Sequence, residues 1–166
     1  METNMIARPV TGSMVLALLP VAPQPRAAWG QVLPVSEHAA GVARHVTEWF
    51  LRKCQDVPVD VEIDAAILLV SELVTNAFAA ASKLESAAAI DLSLRLFADH
   101  LLIEVIDSSP EPPKLNPPVD PSAEDGRGLD IVERVSSEWG YFPYQGRKIV
   151  YCILPITTDK ISVHPH

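Results

Sequence analysis

The sequence predicts an α+β protein organised as a two-layer sandwich, with helices on one face of a mixed, mostly antiparallel sheet. Two long segments in the first half carry apolar residues at helical spacing, and shorter strand-like segments follow in adjacent pairs. The order helix-helix-strand-strand, then helix-strand-strand, departs from the strict alternation that a parallel sheet requires. A length of 166 residues with 48% hydrophobic content is enough for one domain with its own core.

Three regions differ in composition. Residues 1–26 are predicted to form a loose extension, because prolines interrupt their apolar residues. Residues 27–158 carry the folded pattern, and residues 159–166 form a short tail. The apolar run Met14–Val21 is too short to cross a bilayer and is broken by Pro20, so we expect a cytoplasmic protein with no membrane attachment.

The formal net charge of -8 bears on the partners of the protein. A surface that holds nucleic acid or anionic lipid does so largely through Lys and Arg, and here acidic residues outnumber basic ones by 21 to 13. We therefore expect no direct nucleic-acid binding. A nucleotide would have to be held locally, by backbone amides and a metal ion.

The folded pattern begins with Ala27–Leu33, which predicts an edge strand before Pro34. Ser36 is a residue type that caps helices, and the helix after it is expected to run to about Cys54. Its packing face is predicted from four apolar residues at helical spacing, Val42, Val46, Trp49 and Phe50.

The strongest helical pattern runs from about Asp60 to Ser82. Its apolar stripe is wide enough to lie across a sheet. The stripe comprises Ile63, Ile67, Leu69, Val70, Leu73, Val74 and Phe78.

The next two segments predict a pair of strands joined at Asp99 and His100. Residues 90–96 alternate apolar and polar side chains, which is typical of a half-buried strand. The return strand, Leu101–Ile106, places its odd-numbered residues on one face. By the same parity Asp107 follows them, so a carboxylate is expected to close a row that faces the core.

A proline-rich segment separates these strands from the last helix. Residues 108–125 contain six prolines and cannot form a regular element, which indicates a functional lid or disorder. A helix is predicted to begin at Gly128 and to end at Gly140. Its core-facing residues are Leu129, Val132, Val135 and Trp139.

The last part of the folded pattern predicts a hairpin. Tyr141–Tyr144 and Lys148–Leu154 flank the dipeptide Gln145-Gly146, which favours a tight turn. The second of these strands has the stronger pattern.

The first candidate functional residues lie on the long helix. Glu72 and Asn76 are four residues apart, so their side chains share one helix face and can serve one ligand. An Asn oxygen suits Mg²⁺, which takes few protein ligands when phosphates supply the rest. A carboxylate one turn away could orient or deprotonate a water or a hydroxyl group. The alternative is a solvated polar pair beside the apolar stripe.

Two further clusters complete the pattern. Asp107 needs a hydrogen-bond donor, which could be an adenine amino group or, in the alternative, a local turn with Ser109. Gly126 and Gly128 bracket Arg127 where a helix begins, and exposed amides there could bind phosphate. An ordinary glycine-containing loop would also explain this pair of glycines.

Taken in order, the three clusters resemble those of the GHKL-type ATP-binding domain shared by gyrase, heat-shock chaperones, histidine kinases and mismatch-repair ATPases. More narrowly, the chain resembles the small anti-sigma-factor serine/threonine kinases and their single-domain actinobacterial relatives. Residues 71–77 (SELVTNA) are similar to the N box of the family, residues 105–113 (VIDSSPEPP) to its first glycine box, and residues 125–140 to its second. The resemblance covers about residues 27–155 and implies a Bergerat-type ATP-binding fold.

The resemblance also implies roles and partners. ATP and Mg²⁺ would be the cofactors, with Asn76 holding the metal, Glu72 acting as general base and Asp107 accepting from the adenine amino group. Gly126, Arg127 and Gly128 would lie along the phosphates. Such kinases form homodimers, sequester a sigma factor and phosphorylate a small anti-anti-sigma partner of the STAS type.

Three departures from the family pattern bear on catalysis. Ala79 and Ala80 stand where relatives place a basic residue or histidine, and Ile149 is assigned to a position where a Thr contacts the adenine. Ser109 and Pro110 replace glycines of the first glycine box. Two hypotheses therefore stay open, an active kinase that needs Glu72 and a nucleotide-binding adaptor that regulates a partner by binding alone.

Overall fold

The computed structural model describes residues 23–54, 61–87, 89–113 and 128–156. They form a five-stranded sheet and three helices, in the predicted two-layer arrangement. In chain order the elements are β1 (Ala27–Leu33), α1 (Ala39–Lys53), α2 (Ile63–Ala81), β2 (Ile90–Leu96), β3 (His100–Asp107), α3 (Gly128–Val135), β4 (Glu138–Tyr144) and β5 (Arg147–Pro155).

The strands lie in the order β1-β2-β3-β5-β4, and each neighbouring pair in the described sheet is antiparallel. The predicted edge strand is therefore confirmed as β1, and β4 forms the other edge. Gln145 and Gly146 adopt φ angles of 48° and 74°, which is the left-handed geometry of a two-residue hairpin turn. This turn fixes which residues of β5 face the helices.

The core lies between α2 and the inner face of the sheet. β2 alternates between buried and half-buried residues along its whole length, as its sequence predicts. By length and composition α2 could cross a membrane, but its apolar face packs on the sheet. The fully or nearly fully buried residues of α2 are Ala66, Leu69, Val70, Leu73, Val74, Ala77 and Ala81.

The inner row of β3 ends in a carboxylate, as parity predicts. Leu101, Ile103 and Val105 are at most 1% exposed, and Asp107 is 2% exposed. An ionised side chain at such a depth requires partners, and these are described with the site below.

Helix α1 differs from the prediction in its start and in its packing face. It begins at Ala39, whose amide donates to the backbone carbonyl of Ser36 at 3.1 Å, and no side chain caps it. Val42 and Trp49 are each 42% exposed, because smaller residues such as Ala43 and Thr47 face the core instead. Trp49 packs edge-to-face on Trp29 of β1, with ring centroids 4.9 Å apart.

Helix α3 is shorter than predicted. It ends at Val135 rather than at Gly140, because the amide of Ser137 donates to the carbonyl oxygen of Ile153 in β5 at 2.9 Å and not to a carbonyl of the helix. Trp139 therefore belongs to β4. Gly140 lies against the ring of Tyr151, whose hydroxyl oxygen would be 2.7 Å from a Cβ at position 140.

Several predictions fall on residues outside the described ranges. They include most of the extension assigned to residues 1–26, the tail assigned to residues 159–166 and much of the proline-rich segment. Gly126 and Arg127 also lie outside the described residues. The domain limits therefore stay predictions.

Candidate functional site

A cavity of about 510 Å³ opens where the second half of α2, the end of β3 and the start of α3 meet. Asn76, Asp107 and Leu129 all line it, and they come from three segments that are distant in sequence. Leu73 and Val150 add apolar surface, and the prolines after Ser109 form part of its wall. A mostly apolar cavity with a few converging polar groups is typical of a small-molecule site.

Glu72 and Asn76 both lie against the first residue of α3. A Cβ added to Gly128 would be 2.6 Å from Glu72 Oε2 and 3.4 Å from both Asn76 Oδ1 and Asn76 Nδ2. A larger residue at position 128 would displace the Glu72 carboxylate from this place. The first and third sequence clusters therefore meet in space, as the pattern predicts.

Glu72 is half-buried and lies beside the cavity rather than in its lining. Burial raises the pKa of its carboxyl group above the ordinary value of 4.5. A carboxyl group with a raised pKa is better matched to general base or acid catalysis near neutral pH than an exposed one.

Asn76 carries an unsatisfied polar atom. Its Nδ2 is buried and has no hydrogen-bond partner in the described part of the chain. A buried donor without a partner costs about 1–3 kcal/mol, so a ligand oxygen at this position would be stabilising. The side chain lines the cavity, and its carboxamide group can both donate and accept hydrogen bonds.

Asp107 forms a buried ion pair with Lys148. Lys148 Nζ lies 2.8 Å from Asp107 Oδ2 and 2.9 Å from Oδ1, and the two side chains are 4% and 3% exposed. The amide of Ser109 also donates to Asp107 Oδ1 at 2.8 Å. The local turn considered from the sequence is therefore present, together with a cation that the sequence pattern did not indicate.

The electrostatics of Asp107 combine opposing effects. Burial raises the pKa of its carboxyl group, whereas the hydrogen bond and charge of Lys148, the Ser109 amide and the charge of Arg147 lower it. Burial is the largest of these effects. Water does not reach the carboxylate at this depth, so Lys148 and the Ser109 amide stabilise its charge instead.

The assignment of Ile149 to the position that would contact the adenine is wrong. The register of the sheet places Lys148 directly opposite Asp107, and Lys148 and Val150 line the cavity. Ile149 lies on the other face of the sheet, where it lines a separate groove with Ile106. The resemblance assigned Ile149 by its place after the glycine of the turn, whereas the register of β5 decides which face each residue occupies, and a shift of one residue exchanges the two faces.

Ala79 and Ala80 line the cavity, so their small side chains do stand at the predicted place. Lys83 lines it as well, two residues after the end of α2, and its side chain is exposed. Because it follows the helix, helical spacing from Asn76 does not indicate it. The cavity thus contains a cation near its mouth despite the two alanines.

A magnesium site in this cavity would depend on few protein ligands. Within the described ranges no group of three or more His, Cys, Asp or Glu side chains could hold a metal ion. The amide of Asn76, beside Gly128, fits a cation whose other ligands are phosphate oxygens and water. The donor set therefore suits Mg²⁺ bound together with a nucleotide better than Mg²⁺ alone.

Comparison with known proteins identifies the class to which this sandwich belongs. The model of the histidine kinase-like ATPase domain matches residues 34–151, and the chain belongs to that family. No curated protein sequence matches the chain significantly.

A solved structure shares the fold. The crystal structure of the RsbU and RsbW domains of Rv1364c from Mycobacterium tuberculosis superposes with a TM-score of 0.56 and 18% sequence identity. The match covers 80% of this chain and 34% of that structure, so this chain spans about a third of its length.

Proposed function

We propose that this protein is a cytoplasmic ATP-binding regulator of the anti-sigma-factor serine/threonine kinase type. The observation that carries the proposal is the convergence of Asn76, Asp107 and the start of α3 on one cavity, in a chain of the histidine kinase-like ATPase family. The RsbW domain named in the similar structure supports the same class.

ATP would span the cavity from Asp107 to Gly128. The Asp107 carboxylate would accept from the adenine amino group, and Asn76 would hold Mg²⁺ and the phosphates near the first turn of α3. Gly126 and Arg127 would continue the phosphate contacts. Lys83 would add positive charge near the mouth of the cavity. When bound, ATP supplies the phosphoryl group.

Glu72 would act as the general base. Its carboxylate lies one turn from Asn76 and touches Gly128, next to the end of the cavity where the phosphates would lie. It would take the proton from the serine or threonine hydroxyl of the acceptor protein, and its raised pKa would favour that transfer near neutral pH.

The acceptor would be a small anti-anti-sigma protein of the STAS type, and a sigma factor would be the second partner. Formation of a homodimer would fit the exposed edge of the sheet, where Trp29 and Val32 of β1 are 38% and 63% exposed. An edge strand with exposed apolar residues is a surface that another protein can cover.

An adaptor without kinase activity is the second candidate, and two observations favour it. The wall of the cavity carries Ala79 and Ala80 where a polar or basic side chain would contact phosphate. Asp107 is already paired with Lys148, so this carboxylate has a partner even when no adenine is bound. In this case the nucleotide would act only by occupying the site.

Phosphoryl transfer separates the two candidates. The purified chain is incubated with γ-labelled ATP, Mg²⁺ and candidate STAS-type proteins, in parallel with Glu72→Gln and with Glu133→Gln, an exposed glutamate on α3. The kinase hypothesis predicts label on a partner serine or threonine, loss of label with Glu72→Gln and no loss with Glu133→Gln. Binding of ATP without transfer to any candidate would favour the adaptor.

A further inference from the structure

Lys148 is the least expected side chain in the cavity, and its ammonium group donates two hydrogen bonds within the described part of the chain, one to Asp107 Oδ1 and one to the carbonyl oxygen of Ser109. Nζ lies 2.9 Å from Asp107 Oδ1, 2.8 Å from Asp107 Oδ2 and 3.1 Å from the carbonyl oxygen of Ser109. A lysine ammonium has three donors, so one N–H is left for a ligand once these two bonds are made. The ammonium is thus fixed at the point where the cavity reaches β3 and β5.

The carboxylate of Asp107 retains capacity for one more donor. Oδ1 accepts from both Lys148 and the Ser109 amide, whereas Oδ2 has Lys148 as its only partner in the described part of the chain. Both residues line the cavity. An acceptor and a strong donor therefore lie 2.8 Å apart at one place on its wall.

Purine bases differ at this kind of contact. Adenine carries an amino donor at C6, whereas hypoxanthine and guanine carry a carbonyl acceptor there. A buried carboxylate without a neighbouring cation can accept a hydrogen bond from the 6-amino group of adenine. It has no hydrogen-bond donor opposite it when the base carries a 6-carbonyl group. A site built in that way can reject the wrong group by a factor of about 10⁴.

We propose that the Asp107–Lys148 pair accepts purine nucleotides with either an amino or a carbonyl group at C6, so that the site discriminates weakly between adenine and 6-oxopurine nucleotides. The inference rests on the proposed nucleotide site. A 6-amino base donates to Asp107 Oδ2. A 6-oxo base accepts from the third N–H of Lys148, while the bonds from Lys148 to Asp107 and to Ser109 stay in place.

The test compares ATP with ITP, because their bases differ at C6 and in the proton on N1. Both are titrated calorimetrically into the full chain with Mg²⁺ at pH 8. We expect dissociation constants within about tenfold of each other for the unmodified protein. Lys148→Met should weaken ITP more than ATP and change the ratio by at least about tenfold.

Lys83→Met provides the matched control, since it removes a lysine from the same cavity but away from Asp107. It should weaken both nucleotides by a similar factor. Preference for ATP by more than about 100-fold in the unmodified protein would overturn the inference and leave the nucleotide site standing, whether or not Lys148→Met folds. An unchanged ratio in a folded Lys148→Met protein would also overturn it. Binding of neither nucleotide by a cooperatively melting chain would overturn the proposed function as well.

Discussion

Glu72 and Gly128 touch across the contact between α2 and α3, with so little space that a Cβ at position 128 would lie 2.6 Å from Glu72 Oε2. This contact joins the helix that carries the candidate base to the helix that would bind phosphate. It also explains why a glycine stands at the start of α3. The position requires a residue without a side chain, and it does not require the backbone freedom of glycine.

Gly128→Ala should therefore impair function more than stability. The added methyl group displaces the end of a flexible side chain, so we expect a loss of about 1 kcal/mol or less in the free energy of unfolding, measured by urea denaturation. Phosphoryl transfer should fall sharply, because Glu72, the candidate general base, must move. Gly30→Ala is the control, since nothing lies within 4 Å of a Cβ there. Normal transfer by Gly128→Ala would show that the contact has no functional role.

Glu72→Gln should change the pH dependence of stability. Burial raises the pKa of Glu72 in the folded protein, so the group favours folding when protonated, and that contribution is lost as the pH rises through the folded-state pKa. We expect the variant and the unmodified protein to melt together at about pH 4 and the variant to melt at a higher temperature at about pH 8. Glu133→Gln, at an exposed position, should melt with the unmodified protein at both pH values. Identical pH profiles for Glu72→Gln and the unmodified protein would contradict the burial of this carboxylate.

Lys148→Met should destabilise the fold strongly at neutral pH. It leaves Asp107 buried without its cation, and breaking a buried pair in this way costs about 3–5 kcal/mol. The loss should shrink at acidic pH, because protonation of Asp107 removes the unpaired charge. Arg134→Met breaks the exposed pair with Asp130 and should cost no more than about 1 kcal/mol. Chemical denaturation at two pH values measures both effects, and equal costs for the two variants would refute the assignment of a buried pair.

Because α3 ends at Val135, Gly140 belongs to the edge strand β4, and its substitution should affect the packing of that strand. Gly140 lies on the ring of Tyr151, so Gly140→Ala should overpack this contact and cost about 1–3 kcal/mol in the free energy of unfolding. Equal free energies of unfolding for Gly140→Ala and Gly30→Ala would contradict the contact with Tyr151. Gly30→Ala in β1 again provides the control, because it adds the same methyl group in an open position.

Much of the fold could be predicted because parity and helical spacing are local properties. The alternation in β2 and the inward position of Asp107 follow from a period of two residues, and Glu72 and Asn76 share a face because they are four apart. The resemblance then assigned the three clusters to one site, and the cavity is lined by residues of each cluster.

The remaining features depend on contacts that a linear pattern does not contain. Trp139 fits the helical spacing of α3, but the bond from Ser137 to Ile153 ends the helix and starts β4. Ser36 has the chemistry of a cap, yet α1 begins three residues later with only a backbone bond. Lys148 could not be placed opposite Asp107 until the hairpin turn fixed the register of β5.

Calorimetric titration of the purified chain with ATP and Mg²⁺ tests most directly whether these clusters form one nucleotide site. We predict saturable binding of one ATP per chain, weakened by Asn76→Ala, and a gain in the free energy of unfolding of about 2.7 kcal/mol at an ATP concentration 100 times the dissociation constant. Absence of binding heat, with equal melting temperatures in the presence and absence of ATP, would contradict it.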